Sequence, residues 1–235
     1  MKKFLEAGCE MGYYIDLSAI TLDEYKRRLA ASELLPSQQV LKEGIDARFA
    51  ALAGLGIQNA QQLRQALKSK KDVDALSKSA SLPVAYLTVL RRELNSYSSQ
   101  MRKIGDFPGI GEEIKARLIE LGIRTAGDLY GEVITPEQRA ALASDISASG
   151  EEVLLLAKMA DVSRLRYVNP AFAALLAHSA YDTVAKIKDA GQQDLYRELI
   201  AVNERYGFYG GRINAKDMGF LIRETEYVSL DIRYD

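Results

Sequence analysis

The pentapeptide Phe107-Pro108-Gly109-Ile110-Gly111 is a hairpin sequence that can present backbone N–H groups to a phosphate. Lys68-Ser69-Lys70-Lys71 can grip a phosphate backbone, although a solvated inter-helix loop accounts for the same residues equally well. Tyr206-Gly207-Phe208-Tyr209-Gly210-Gly211-Arg212 mixes aromatic rings, glycines and a base, the ingredients of a stacking platform for single strands. The competing reading of that segment is a helix stop whose aromatics pack inward. Acidic pairs at Asp72 and Asp74, Glu112 and Glu113, and Glu151 and Glu152 lie near helix starts, where capping explains them better than metal binding or acid–base catalysis. His178 is the only histidine and Cys9 the only cysteine, so no Ser/His/Asp or Cys/His set and no usual zinc ligand set can be assembled. No catalytic residue, metal site or cofactor is expected, and the chain reads as a non-enzyme.

The elements that must carry these residues repeat. Ala50, Leu52, Leu55, Gly56, Ile57, Ala60 and Leu63 recur as Ala116, Leu118, Leu121, Gly122, Ile123, Ala126 and Leu129, always 66 positions later. In each copy the glycine suits a left-handed residue that ends one helix, the isoleucine turns into the core, and Asn59 or Thr125 caps the next helix. Capping-box logic starts helices at Thr21-Leu22-Asp23-Glu24, Thr135-Pro136-Glu137-Gln138 and Ser149-Gly150-Glu151-Glu152. A longer apolar-periodic helix closes each copy, with Leu87, Leu90 and Leu94 in the first and Val153, Leu154, Ala157 and Ala160 in the second. Ser79-Ala80-Ser81 matches Ser147-Ala148-Ser149 at an offset of 68, which predicts two extra residues in the second copy. A third, degraded copy places Ala174, Leu176, Thr183, Val184 and Ile187 at an offset of 58 from Ala116, Leu118, Thr125, Ala126 and Leu129, and Asn214 to Tyr227 supplies its closing helix. His178 falls where the other copies have Gly54 and Glu120, a position that predicts solvation. The β-prone segments 13–17 and 228–234 are expected to form a small two-stranded pairing.

The expected fold class is therefore all-α, built from tandem helical repeats. Its organisation reads as 1–10, a disordered extension; 11–45, an N-terminal strand and helix; 46–103, a basic first repeat; 104–168, a second repeat carrying the hairpin; and 169–235, a degenerate third repeat with a C-terminal strand. The chain has 235 residues, 48% hydrophobic and 27% charged, with a formal charge of −1 that hides an uneven distribution. Residues 46–103 carry ten Lys/Arg against four Asp/Glu, a net +6, whereas 104–170 carry a net −4. Such asymmetry is the footprint of one module meeting an anionic partner, and random drift on a solvated face is the plain alternative. With no run of about 18 apolar residues and no disulfide framework, a cytoplasmic protein with no membrane contact is expected.

The repeats, the Met11-Gly12-Tyr13-Tyr14-Ile15-Asp16-Leu17 opening and Asp106-Phe107-Pro108-Gly109-Ile110 resemble the uncharacterised bacterial family of domain of unknown function 4332, a relative of helix-hairpin-helix modules. The resemblance runs over about residues 11 to 235 and implies helix-hairpin-helix-like repeats with no established activity. It also implies phosphate donors at Gly109, Ile110 and Gly111, with Lys115 nearby, at the positive end of the following helix. Two departures bear on that. Glu112 and Glu113 repel phosphate directly after the hairpin, and Ser98 to Asp106 lacks a helical period. The alternative is that both glycines make a tight turn docking Phe107 and Ile110.

Two functions remain. The first is nucleic-acid binding, DNA or RNA, through backbone phosphates, using Lys68, Lys70, Lys71, Arg91 and Arg92 of the basic repeat together with the hairpin. The second is a protein-interaction scaffold, since stacked helical repeats commonly present a groove to a partner.

Overall fold

Short polar side chains set most helix starts. Asn59, Ser69, Thr125, Thr135, Ser149, Asn169 and Thr183 each accept from a backbone N–H in the first turn they precede, each satisfying one of the donors a helix N-terminus leaves open. Thr21 likewise accepts from the Glu24 N–H, but Glu24 turns outward to Arg28 and leaves that box half made. The computed structural model describes residues 10–32, 34, 36–97 and 102–235. The extension expected at 1–10 lies, apart from residue 10, outside the described residues.

The chain divides into two units, 16–98 and a larger one of 1–15 with 99–235. After α1 (Glu10–Tyr13), the smaller unit holds α2 (Leu22–Ala31), α3 (Ile45–Gly54), α4 (Ala60–Ala66), α5 (Lys70–Ala80) and α6 (Val84–Ser96). The larger unit contains α1 and continues with α7 (Glu112–Glu120), α8 (Ala126–Gly131), α9 (Pro136–Asp145), α10 (Gly150–Val162), α11 (Pro170–Ala177), α12 (Val184–Lys188), α13 (Gln192–Tyr206) and α14 (Ala215–Glu224). The architecture is mainly helical. Among the described residues there is no strand, only isolated bridges between Thr21 and Asn59 and between Lys103 and Thr125.

Helix bounds in α3–α6 recur in α7–α10 at an offset of 66 to within one residue, and Leu52, Ile57, Leu63, Leu118, Ile123 and Leu129 are all buried. Gly56 and Gly122 have φ of +83° and +88°, the left-handed region that a Cβ disfavours. The offset holds across the third loop as well. Ser81 and Ser147 are both left-handed, and the Leu82 and Ala148 N–H groups reach back five residues to Ser77 and Ala143. The second copy therefore carries no two-residue insertion. Its Ser-Ala-Ser sits two positions beyond the first copy's because the left-handed turn, not the tripeptide, is what repeats. The true insertion lies in the first copy, where α2 separates the bridge at Thr21 from the short 3-10 helix Pro36–Leu41.

In both copies the first amide of the capped helix is taken by a carbonyl across the bridge, Ala60 N–H by Ile20 and Ala126 N–H by Arg102. The equivalent Val184 N–H instead donates to Asp161 Oδ2 at 3.0 Å. Asp161 is 3% exposed and anchors a polar centre in the larger unit. The fully buried Arg164 donates to Asp161 Oδ1 (2.6 Å), Ser229 O (2.7 Å), Gly12 O (3.0 Å) and the Tyr130 hydroxyl (3.1 Å). Tyr234 donates to Asp161 Oδ2, and Arg233 N–H to Ile134 O.

These bonds explain why the expected two-stranded terminal pairing is absent. Tyr13 ends a helix, with its ring buried edge-on against Tyr130. Leu17 belongs to the other unit, where its carbonyl accepts from Gln61 N–H. The segment 228–235 gives its backbone to Arg164 and Ile134 rather than to 13–17.

Candidate nucleic-acid interface

In the 16–98 unit one junction joins the loop entering α5 to α6. Arg91 on α6 donates from Nη2 to the Lys68 carbonyl at 2.7 Å, which fixes the middle of α6 against the loop entering α5. Lys68, Lys70, Lys71 and Arg92 are exposed, and no ion pair to any of them occurs among the described residues. Asp72 stands among them but is turned to the cap, accepting from the Ser69 N–H (2.9 Å) and hydroxyl (2.6 Å). The Ser69 hydroxyl, and then the Lys71 and Lys68 charges, hold its carboxyl below the usual range, so it stays ionised. Lys70 and Lys71 occupy the first turn of α5, where the helix dipole disfavours cations and an incoming anion relieves the conflict.

The hairpin belongs to the larger unit. Ile104–Asp106 forms one 3-10 turn before it, and Phe107 (1% exposed) and Ile110 (9%) dock into the core. Gly109 has φ of +82°, and a Cβ there would lie 3.2 Å from the Phe208 ring and 3.5 Å from His178. This glycine is demanded by the fold itself. Gly111, by contrast, has φ of −59°, and a Cβ would meet nothing within 4 Å. It caps α7 without a side-chain bond. Lys115 does not stand free beside the turn. Its side chain is 12% exposed and its Nζ is 2.8 Å from Glu112, while Arg117 pairs with Glu113 at 2.5 Å. Glu112 and Glu113 are thus neutralised one turn on by Lys115 and Arg117.

Sequence spacing gave no sign that the 206–212 loop covers the hairpin. Asn203 donates from its amide to Tyr209 O and accepts from Tyr209 N–H, folding the chain back after α13 so that Phe208 stacks on Tyr206 at 5.2 Å and 8°. His178 lies 4.9 Å from Phe208 and 5.0 Å from Tyr206. The solvation expected at His178 is not found; the residue is half-buried and its Nδ1 is 2.8 Å from Ala174 O. A carbonyl can only accept, so Nδ1 carries the proton and donates. Tyr206 remains 40% exposed, with the exposed Arg205 guanidinium 5.1 Å from its ring centroid. Tyr209 turns the other way, edge-on to Phe172. The segment ends α13 at the left-handed Gly207 and turns Phe208 and Tyr209 inward while Tyr206 stays partly exposed, and a glycine between two aromatics was the one available signal.

No group of three or more His, Cys, Asp or Glu able to hold a metal occurs among the described residues, and none of their helices is long and apolar enough to cross a membrane. The model of a family described as a domain of unknown function (DUF4332) matches residues 108–213, from the hairpin to the turn before α14. The match supports the resemblance to that family over this segment, a narrower span than the motifs imply. No curated protein and no solved structure matches the chain.

Proposed function

We propose that the chain is a non-enzymatic module of tandem helix-hairpin-helix-like repeats that binds nucleic acid, DNA in the first instance, through backbone phosphates. The observation that carries this reading is the Arg91–Lys68 bond, which ties the start of α5, with exposed Lys68, Lys70 and Lys71, to α6, where Arg92 is also exposed. Long exposed cations held in no ion pair are suited to a phosphate backbone and carry no base readout. The hairpin is a second, separate contact, with Gly111 the residue left free by the fold. A cytoplasmic setting fits a module of this kind.

The test is a salt-series titration of the full chain with single-stranded, duplex and branched DNA and with RNA. About four phosphate contacts give a log–log salt slope of about −3.6 on duplex DNA. Reversing Lys70 and Lys71 to glutamate should weaken binding to every sequence and flatten that slope by about 2. Gly111→Ala costs under about 1 kcal/mol of stability as a cap change, so any larger loss of affinity reports on the turn. No binding to any of the four at low salt overturns the reading.

A protein-interaction scaffold is the second reading. Its support is the exposure of Ile119 and Leu121 at the end of α7, with Leu55 equally exposed at the matching position of α3.

A further inference from the structure

Beyond backbone contact, the larger unit holds a feature that a phosphate reader does not need. Tyr206 and Phe208 are stacked nearly parallel, His178 closes on both rings, and the Asn203–Tyr209 bonds fix the loop that presents them. Phe208 is spent on the Gly109 turn, but Tyr206 stays 40% exposed. Phe208 takes one face of Tyr206 and the exposed Arg205 guanidinium sits over the ring, so a flat ring stacks on Tyr206 by displacing that guanidinium, on a loop already held in place at little ordering cost. The charge beside it selects which flat ring. Arg205 lies over Tyr206, the acids at the start of α7 are tied to Lys115 and Arg117, and the positive end of that helix adjoins the same turn. A π surface in that field suits a ring attached to an anion.

Resting on the nucleic-acid reading, we propose that Tyr206, backed by Phe208 and His178, stacks an unpaired base, so that the chain prefers single-stranded nucleic acid to duplex. A base inside a duplex has both faces covered by its neighbours and cannot reach the ring.

The experiment titrates the full chain at low salt with three probes of equal length: oligothymidylate, an abasic oligomer with the same sugar-phosphate backbone, and a blunt duplex. Oligothymidylate should bind more tightly than the abasic strand by about 5- to 150-fold, the loss that alanine substitution at one stacking aromatic produces. Tyr206→Ala should erase that difference while leaving abasic and duplex affinities unchanged, and Tyr206→Trp should keep it. Equal binding of oligothymidylate and abasic strand by the unaltered protein overturns the stacking proposal and leaves backbone binding standing. The abasic comparison needs no variant, so it decides the matter even where Tyr206→Ala fails to fold. Binding to none of the probes overturns both.

Discussion

Replacing Arg164 by methionine should destabilise the larger unit by about 3–5 kcal/mol, the cost of leaving one member of a buried ion pair without the other. The structure supplies the reason for the size. Arg164 is fully buried and satisfies the Asp161 carboxylate, three backbone carbonyls and a tyrosine hydroxyl in a single group. Methionine fills similar volume but donates nothing, so the Gly12 and Ser229 carbonyls lose a partner together with the carboxylate. Asp161 keeps the Val184 N–H and the Tyr234 hydroxyl, which holds the cost within that range. Denaturant unfolding followed by circular dichroism reads the loss as a lowered midpoint. The double variant with Asp161→Asn should cost less than the two single losses added, because the second change removes the stranded charge. A loss below about 1 kcal/mol for Arg164→Met, or strict additivity with Asp161→Asn, would refute the claim that this pair joins the two terminal segments to the unit.

Alanine at Gly56 or Gly122 should cost about 1–2 kcal/mol each through left-handed backbone strain alone, since neither Cβ would touch anything, whereas Gly54→Ala at the last residue of α3 should stabilise by up to about 0.5 kcal/mol; denaturant midpoints of the three variants check both signs. Burial pushes the Tyr13 and Tyr86 phenols up to about 12, above the ordinary value of about 10. Folded values above unfolded ones mean stability that is intact below pH about 10 and lost as pH rises towards 12, visible as unfolding coincident with tyrosinate absorbance. At neutral pH Tyr13→Phe should cost about 1 kcal/mol, because its hydroxyl is bonded to Ser163. Tyr86→Phe should cost nothing or stabilise, because the buried Tyr86 hydroxyl has no partner among the described residues.

Helix starts, the left-handed glycines and the 66-residue repeat were legible in the sequence because each is decided within a few neighbouring residues. Thr135 caps its helix through the third amide beyond it, and Gly122 takes its φ from the turn it sits in. The polar centre was not legible. Arg164 bonds to Gly12 and Ser229, 152 and 65 positions away, and no local pattern sets apart an arginine that will be buried from one that will be solvated. The candidate site divided along the same line. Lys68, Lys70, Lys71, Arg91 and Arg92 could be picked out as a local excess of charge, but only the fold draws Arg91 onto the Lys68 carbonyl. The glycines of the hairpin were visible; that Phe208 covers Gly109 while Gly111 stays open was not, because that contact closes across 99 residues. By itself the sequence determined its helices and their ends, whose energetics lie within one turn of the chain. Tertiary structure alone decided which charges are buried, which are paired and which remain free for a partner, since those outcomes depend on what long-range packing brings within hydrogen-bonding distance.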